Sequence, residues 1–573
     1  MKFKIDSPVP PSAHSKRRLR RLLAAVCACV LVSLATAPGP GRAQQFKPNN
    51  NSLPNLGDSA RGDLSPLLER KLGEEIMRDV KRDRDFLDDD AVLEYLNNFG
   101  SALVAAYPDA RGETGADFYF FTVRDPMLNA FALPGGFIAV HSALLIAAQN
   151  ESELASVLSH EIGHVTQRHI ARMIGQQKQD ALMPLAAMIL AALASKAGPD
   201  AAIGVFMGGQ GLAIQRQLNF SRDAEREADR VGFQIMGAAG FDTSGMVAFF
   251  QRMQSATKVY SDLTPPWLMS HPLTSERITD IRARIREAPY RQRIDGLEFH
   301  LVRARARVLQ DETNQGRIDA TAAFEAQLKM QSRQQQAAGH YGLALLALKK
   351  GELATAADRL AKARATMKPT TGAVFSTGQS ASDGAAMFAS MALDIKLAPG
   401  QPATLAEQTL KEAEQAHQQF PLSRGITRQY AQAMIASGKL DQATSFLREE
   451  VRLYREEPKL YELLAKTYAA QGKQTLQHIA LAESYVLSGA VPAAVDQLGI
   501  ARKAPDASFY DLALIDARER ELSERVREEK KEKKENKLHG SSGDRQAPEA
   551  EPFGHLDARD PFDRRPHTLP AQR

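Results

Sequence analysis

The sequence predicts a mainly α-helical protein with two folded domains, the first containing a small β-sheet and the second built from helical repeats. Apolar residues recur at helical spacing in several stretches of residues 66–290. One aromatic run and a pair of short apolar runs around Pro134-Gly135-Gly136 indicate a few strands in that domain. Between residues 291 and 517, small residues recur at fixed offsets, which is typical of stacked helical hairpins.

Composition excludes some classes of protein. The 573-residue chain can bury more than one core, and its net charge of +5 comes from interspersed Lys/Arg and Asp/Glu. That pattern argues against nucleic acid as a partner. Cys27 and Cys29 are the only cysteines, so the chain beyond residue 43 has neither disulfides nor a catalytic thiol. Zinc bound there would have only His and carboxylate ligands.

Residues 1–43 have the pattern of a cleaved signal peptide. Basic residues from Lys16 to Arg21 precede the short apolar run Leu22 to Thr36, and Gly41-Arg42-Ala43 offers a cleavage site. The run is short for a membrane span, although an uncleaved anchor stays open. An exported chain without disulfides predicts a periplasmic location. Residues 44–65, rich in Asn, Pro and Gly, predict a flexible lead-in.

Helix and strand signals continue through the first domain. Asp88-Asp89-Asp90 suits the start of a helix through Val92, and Phe118 to Val123 predicts a strand. Asn129 to Val140 predicts a strand, a tight turn and a second strand. An ordinary hairpin explains this pattern as well as the alternative, an edge strand that pairs with an extended substrate. The residues of that edge are Asn129, Ala130, Phe131, Ala132 and Leu133.

An H-E-x-x-H pattern begins at His160 in a predicted helix. Asn150 can cap this helix, with Glu153 in the capping-box position. His160 and His164 project from one helix face and can reach one metal ion. Glu161, roughly 100° around the helix, can hold a water against that metal. Because this pattern also arises by chance in polar helices, a metal site needs further evidence from the rest of the sequence.

A later helix start supplies acidic residues. Glu225 and Asp229 lie four residues apart and share a face, whereas Glu227 between them faces away. One carboxylate can bind metal while the other hydrogen-bonds a ligand histidine. Acids at a helix start are also favourable without any metal. Together with H-E-x-x-H, the pair completes a site of two histidines and one carboxylate with a position open for water.

Residues 181–215, between these motifs, are unusually apolar. Ala181 to Ala194 and Ala201 to Leu212 form two runs, each shorter than the ~20 residues of a membrane span. They predict a helical hairpin packed in the core, with peripheral membrane contact as the alternative.

Four separated motifs are the Asn129–Gly136 stretch, His160 to His164, Glu225 to Asp229, and Ser270-His271-Pro272. Together they resemble the CAAX-prenyl-protease/HtpX family of zinc metallopeptidases over about residues 65–290. The resemblance implies an α-rich zincin-like fold and one Zn²⁺ per chain. It implies that His160, His164 and Glu225 bind zinc, that Glu161 is the general base, and that Asp229 supports a ligand. The chain resembles an exported branch of the family that carries tetratricopeptide repeats.

The repeat pattern in residues 291–517 fits that branch. Small residues at matching offsets let two helices of a hairpin approach closely, as tetratricopeptide repeats require, although unrelated hairpins can give the same pattern. The matching sets are Ala344, Gly351, Ala356 and Ala363; Ala431, Gly438 and Ala443; and Ala482, Gly489, Ala494 and Ala501. Residues 369–385 predict a Gly/Ser/Thr loop, and residues 518–573, charged and then Pro-rich, predict a disordered tail.

These observations predict an exported zinc endopeptidase. Zinc would polarise the substrate carbonyl and acidify a bound water, and Glu161 would move the proton from that water to the leaving amine. The resemblance implies misfolded or unassembled outer-membrane proteins as clients and repeat-mediated contact with their assembly machinery. One alternative is a chaperone or scaffold with a latent or silent zinc site, against which the intact Glu161 argues. Another is a membrane-bound peptidase with residues 181–215 embedded.

His271 has three interpretations. It can simply pack the start of the helix that follows Pro272. It can fill the fourth position on zinc and displace the water, which latches the enzyme until a client moves the loop. It can instead donate to the oxyanion formed during peptide attack. The family resemblance favours the latch.

Overall fold

The computed structural model describes residues 64–112, 115–175, 222–259, 266–291, 293–368 and 384–542. The predicted signal peptide, nearly all of the lead-in, the apolar segment 181–215 and most of the 369–385 loop lie outside these ranges. The fold is mainly helical with one small sheet, so the predicted fold class is confirmed. Within the described ranges, we find no helix that combines the length and apolarity of a membrane span.

The first half of the structure contains the sheet and the helices around it. Its elements in chain order are α1 Pro66–Val80, α2 Asp90–Ala106, a 3₁₀ turn Pro108–Arg111, β1 Tyr119–Val123, β2 Ala130–Leu133, a 3₁₀ turn Pro134–Gly136, β3 Phe137–His141, α3 Ser142–Ala147, α4 Glu151–Thr166, α5 His169–Gly175, α6 Arg222–Ala238, α7 Ser244–Val259, α8 Pro266–Ser270 and α9 Ser275–Glu287.

The second half is a series of helices joined by short turns. Its elements are α10 Leu297–Gln310, α11 Asn314–Gln327, α12 Arg333–Lys349, α13 Leu353–Met367, α14 Ala385–Leu397, a 3₁₀ turn Ala403–Leu405, α15 Ala406–Gln419, α16 Arg424–Ala436, α17 Leu440–Leu453, α18 Pro458–Ala470, α19 Gln474–Leu487, α20 Val491–Arg502 and α21 Phe509–Ser542.

The sheet has the order β1-β3-β2, with β3 parallel to β1 and antiparallel to β2. The predicted strand-turn-strand is therefore confirmed, and β2 lies at an edge. Gly136 permits the tight turn because its φ is +87° and a Cβ there would lie 2.2 Å from the Asp117 carbonyl oxygen. Residues of α1 and α5 cover one face of the sheet, and the main core covers the other.

The hairpins of the second half bury the alanines that predicted them. Ala344, Ala356, Ala431, Ala443 and Ala482 are all fully buried, where larger side chains would separate the packed helices. The main core also continues across residue 290: one cluster of buried residues extends from α2, α4 and α6 into α10–α14.

The acidic start of α2 contacts the second half. Asp89 caps its own helix at the Val92 amide and accepts from Arg305 Nε at 2.6 Å. Asp90 pairs with Arg428 of α16, and Glu94 accepts from the Gly425 amide at 2.8 Å. The predicted helix start is therefore also a docking point for the helices that follow.

The predicted disordered tail is wrong between residues 518 and 542, which belong to α21. Ile515, Leu522 and Val526 lie at intervals of seven and four residues, so they share one helix face that packs against the last hairpin. Arg518 adds an ion pair with Glu483 at 2.8 Å. These apolar positions anchor a segment whose other residues are mostly charged. Residues beyond 542 lie outside the described ranges.

We expect Arg428→Ala to lower the free energy of unfolding by about 2 kcal/mol, because Asp90 and Glu457 lose a partly buried charged partner. Urea unfolding of the full chain measures this change. Arg452→Ala is the control, since the Arg452–Glu449 pair is exposed and its removal should leave the unfolding midpoint unchanged. Equal midpoints for all three proteins would contradict the docking contact.

Candidate metal centre

Helices α4 and α6 approach each other closely enough for their backbones to touch. A Cβ on Gly163 would lie 2.9 Å from the Ala228 carbonyl oxygen, and a Cβ on Gly232 would lie 3.0 Å from the His160 amide nitrogen. Asn150 caps α4 as predicted, accepting from the Glu153 amide at 2.8 Å. The contact sets the acidic face of α6 against the histidines of α4.

Four side chains predicted from the sequence meet in one buried cluster: His160, His164, Glu225 and His271. One potential ligand atom from each lies within 4.8 Å of all the others. His160 Nε2 is 3.1 Å from His164 Nε2, and His271 Nδ1 is 2.9 Å from Glu225 Oε1. His271 therefore lies inside the cluster.

The cluster fits a metal ion bound by His and carboxylate ligands. Donors at 2.0–2.1 Å around a tetrahedral metal are separated from one another by about 3.3 Å. His160 Nε2 lies 3.4 Å from His271 Nδ1 and 3.5 Å from Glu225 Oε2, and His164 Nε2 lies 3.4 Å from Glu225 Oε1. Ring nitrogens that converge in this way need a cation or a shared proton between their lone pairs.

Asp229 lies outside the cluster and contacts His160. Its Oδ1 is 2.9 Å from His160 Nδ1, the nitrogen opposite the one that faces the cluster. Arg277 binds Asp229 through Nε at 2.7 Å and Nη2 at 2.8 Å, and its Nη1 lies 2.8 Å from Glu225 Oε2. Arg277 was not among the residues predicted from the sequence. Two acidic side chains that are buried side by side need a cationic partner, and this requirement could have pointed to an arginine such as Arg277.

The pKa values of His160 and Glu225 indicate that positive charge is favourable in the cluster. Burial alone would lower the pKa of His160, but Asp229 and Glu225 outweigh it and raise that pKa to about 10. Burial likewise acts to raise the pKa of Glu225, yet the surrounding histidines, His271 foremost, hold it well below the usual range. An ionised Glu225 therefore faces a cationic imidazole, in the place where a divalent ion would supply the charge.

Glu161 is next to the cluster without belonging to it. Its Oε1 lies 3.7 Å from His271 Nε2 and accepts from Trp267 Nε1 at 3.3 Å. Its Oε2 is buried with no hydrogen-bond partner among the described residues. Burial raises the pKa of this carboxyl, which favours the uptake of a proton.

Trp267 is a second residue whose role the sequence analysis missed. Its ring is fully buried and stacks on His271, with centroids 5.1 Å apart and planes 30° apart. Phe249 and Phe250 of α7 pack around it. Trp267 therefore fixes His271 and also orients Glu161. Trp267 lies four residues before His271, and this spacing was a weak sign in the sequence that the two rings could be in contact.

Glu227, predicted to face away from Glu225 and Asp229, contacts a histidine that lies beside the cluster. It is absent from the described cluster of donors, but its Oε2 lies 3.1 Å from His169 Nε2. His169 Nδ1 in turn lies 2.7 Å from His164 Nδ1. The prediction considered only the faces of α6, whereas α5 folds back to bring His169 between the two residues.

The predicted edge strand, β2, lies beside α4, the helix that carries His160 and His164. β2 packs against α4 and takes an outer position in the sheet, so no described strand covers its far side. Ala130 and Leu133 are buried, whereas Phe131 and Ala132 are half-buried. Asn129, just before the strand, has its Nδ2 3.4 Å from His141 Nε2.

The fold and the site together define a metallopeptidase. Residues 102–285 match the family described as Peptidase family M48. The match contains His160, His164, Glu225 and His271.

Curated relatives extend the similarity beyond that domain. The chain is 39% identical over 273 residues to the putative beta-barrel assembly-enhancing protease of Vibrio cholerae, covering 48% of this chain and 54% of the relative. It thus spans about half the length of that relative. It is 29% identical over 514 residues to the beta-barrel assembly-enhancing protease of Escherichia coli strain K12, covering 89% and 99%. The mitochondrial metalloendopeptidase OMA1 of Arabidopsis thaliana is 29% identical over 206 residues, 36% of this chain and 39% of the relative.

We expect Arg277→Met to lower the free energy of unfolding of the metal-free protein by about 3–5 kcal/mol, because it leaves buried carboxylates uncompensated. Burial raises the pKa of Asp229, but Arg277 outweighs it and keeps that pKa below its usual value. Asp229 therefore stabilises the wild type above the unfolded pKa of ~3.9, and this contribution is lost as the pH falls through the folded value.

The deficit of the Arg277→Met variant should consequently be largest near neutral pH and shrink below about pH 4. Urea unfolding at several pH values, after metal chelation, measures it. Arg284→Met on the same helix is the control, since Arg284 and Asp280 are both about one-third exposed. A deficit that is independent of pH would contradict the role of Arg277.

Proposed function

We propose that this chain is a zinc endopeptidase of the bacterial periplasm that cleaves misfolded or unassembled outer-membrane proteins. The observation that carries the proposal is the buried cluster of His160, His164, Glu225 and His271 with the Glu161 carboxyl beside it. A purely structural metal site has no use for such a neighbouring base.

The mechanism follows from the positions of these side chains. His160, His164 and Glu225 would hold the zinc ion, which when bound polarises a substrate carbonyl and lowers the pKa of water towards ~7. Glu161 takes the proton from the attacking water and passes it to the leaving amine. Its raised pKa suits both steps, because a strongly acidic carboxyl would accept the proton poorly. Arg277 keeps Asp229 ionised and orients both Asp229 and Glu225.

Residues 129–133 would bind the substrate as an added strand. The outer position of β2, next to α4, supports this role. Main-chain hydrogen bonds to an extended peptide require little side-chain specificity, which suits clients that have failed to fold.

The second half would select clients and partners. We infer that residues 291–517 are tetratricopeptide-type repeats that bind clients or the outer-membrane assembly machinery. The closely packed helical hairpins and the similarity to beta-barrel assembly-enhancing proteases support this inference. Export by a signal peptide at residues 1–43 would place the protein in the periplasm.

We expect Glu161→Gln to reduce proteolysis by at least about 10²–10⁴-fold while leaving one zinc per chain and the fold intact, because Glu161 is a base and not a ligand. Cleavage of an unfolded reporter protein and elemental analysis of the purified variant measure the two effects.

Glu225→Ala is the matched comparison for Glu161→Gln, since this variant should lose the zinc itself. Proteolysis by Glu161→Gln at the wild-type rate would exclude the proposed mechanism. It would leave the alternative function, a chaperone or scaffold with a silent zinc site.

We further propose that His271 latches the site as a fourth ligand. Its Nδ1 lies 3.4 Å from His160 Nε2, the separation that two ligands of one metal require. Trp267 holds the ring in that place, so opening the site requires α8 to move. This geometry favours the latch over a donor to the oxyanion.

We expect His271→Ala to raise basal cleavage of the unfolded reporter, including self-cleavage near the C-terminus. If His271 instead stabilises the oxyanion, the same change should lower turnover by about 10²–10³-fold. His300→Ala, which removes another buried histidine outside the cluster, controls for general destabilisation. An unchanged rate would contradict both roles.

A further inference from the structure

We propose that His169 is a positioning residue for the ligand His164, within a relay that Glu227 and Arg172 complete. This inference rests on the metal centre proposed above. The relay runs His164–His169–Glu227–Arg172 and connects α4 through α5 to α6. The residues of the predicted family motifs do not include His169 or Arg172.

The distances admit one consistent arrangement of protons. His164 directs Nε2 at the cluster, so as a ligand it carries its proton on Nδ1. That N–H donates to His169 Nδ1 at 2.7 Å, which leaves the proton of His169 on Nε2. His169 Nε2–H then donates to Glu227 Oε2 at 3.1 Å, and Arg172 Nη2 donates to the same oxygen at 2.8 Å. Each of these three N–H groups therefore meets an acceptor.

The reverse arrangement conflicts with metal binding. A proton on Nδ1 of His169 would face the Nδ1 proton of His164 across 2.7 Å. Either the His164 ring would turn, or its proton would move to the nitrogen that faces the metal. The carboxylate of Glu227, fixed by Arg172, favours the His169 tautomer that avoids this conflict.

The chain makes a sharp turn to bring His169 into place. If α4 continued as a regular helix, His169, five residues after His164, would point about 140° away from it. Instead α4 ends at Thr166, and Arg168 adopts a left-handed φ of +53°, the only non-glycine residue with positive φ in the described ranges. The His169 ring thereby returns to the His164 ring, with centroids 4.8 Å apart.

The turn at Arg168 is anchored by its own side chain. The left-handed conformation costs an ordinary residue on the order of 1 kcal/mol or more. The buried guanidinium of Arg168 offsets this cost by donating to the Leu64 carbonyl oxygen at 2.5 Å and to Glu69 Oε2 at 3.2 Å. A backbone strain held by two long-range contacts beside a ligand helix indicates that the position of His169 matters for the site.

The relay parallels the contact on the other ligand histidine. His160 binds Asp229 directly, and Arg277 neutralises that carboxylate. His164 reaches Glu227 through one imidazole, and Arg172 neutralises that carboxylate. Helix α6 would thus supply a ligand at Glu225 and the carboxylates that orient both histidines.

The test compares zinc affinities of full-length variants by competition with a chelator. His169→Leu removes the acceptor for His164, and we expect zinc to bind about 10–100-fold more weakly. In His169→Asn, the amide oxygen can replace Nδ1 as acceptor, so a smaller loss is expected. The double variant His169→Leu/Glu227→Gln should match His169→Leu, since both residues act in series. His300→Leu should leave the zinc affinity unchanged.

Three results would overturn the relay while leaving the proposed function in place: zinc binding by His169→Leu as tight as in the wild type, equal losses in the Leu and Asn variants, or additive losses in the double variant. A lower urea midpoint of metal-free His169→Leu without any loss of zinc affinity would also overturn it, because that result describes packing alone. A wild-type chain that binds no zinc would instead refute the proposed function.

Discussion

The site depends on the backbone contact between α4 and α6 at Gly163 and Gly232. Any side chain at Gly163 would meet the carbonyl of Ala228, and any at Gly232 would meet the backbone of His160. The contact therefore fixes both the distance between the two helices and their rotation relative to each other. Since close-packed interiors absorb little displacement, a shift there would move every donor that α6 directs at the histidines.

Charge balance is the second requirement of this arrangement. Burying carboxylates against one another would be prohibitive if each lacked a cationic or hydrogen-bonding partner. Arg277 forms ion pairs with Asp229 and Glu225 on one side of the cluster, and Arg172 forms an ion pair with Glu227 on the other. The result is a preorganised set of rings and carboxylates whose orientation is fixed before any substrate arrives.

The sequence predicted the elements whose signals are local. Helical spacing placed His160 and His164 on one face of their helix, and Glu225 and Asp229 on one face of theirs. The family resemblance, and not the spacing, implied that Glu225 belongs to the cluster and that Asp229 lies behind it. Residues that reach the site through long-range packing could not be predicted from local sequence patterns. Arg277 reaches the site from a third helix, for example.

Two features that the sequence did not predict have a common cause. Glu227 was assigned from the faces of its own helix, although a turn 59 residues earlier, at Arg168, brings its partner to it. Residues 518–542 were judged by average composition, although Leu522 and Val526 continue the apolar face that begins at Ile515 and pack against the last hairpin. Local pattern predicts which face a residue occupies, and only the tertiary fold determines what meets that face.

The core that continues past residue 290 has a consequence for the order in which the protein matures. Helix α10 packs against α2 and α3, and the shared cluster extends to Ile395. The N-terminal half is therefore synthesised before the helices that complete its core. Until those helices are present, α2 and α3 expose apolar surface, and the core that contains the apolar side of α4 is incomplete. The protein's own topology thus delays the appearance of a finished protease until its second half has been synthesised.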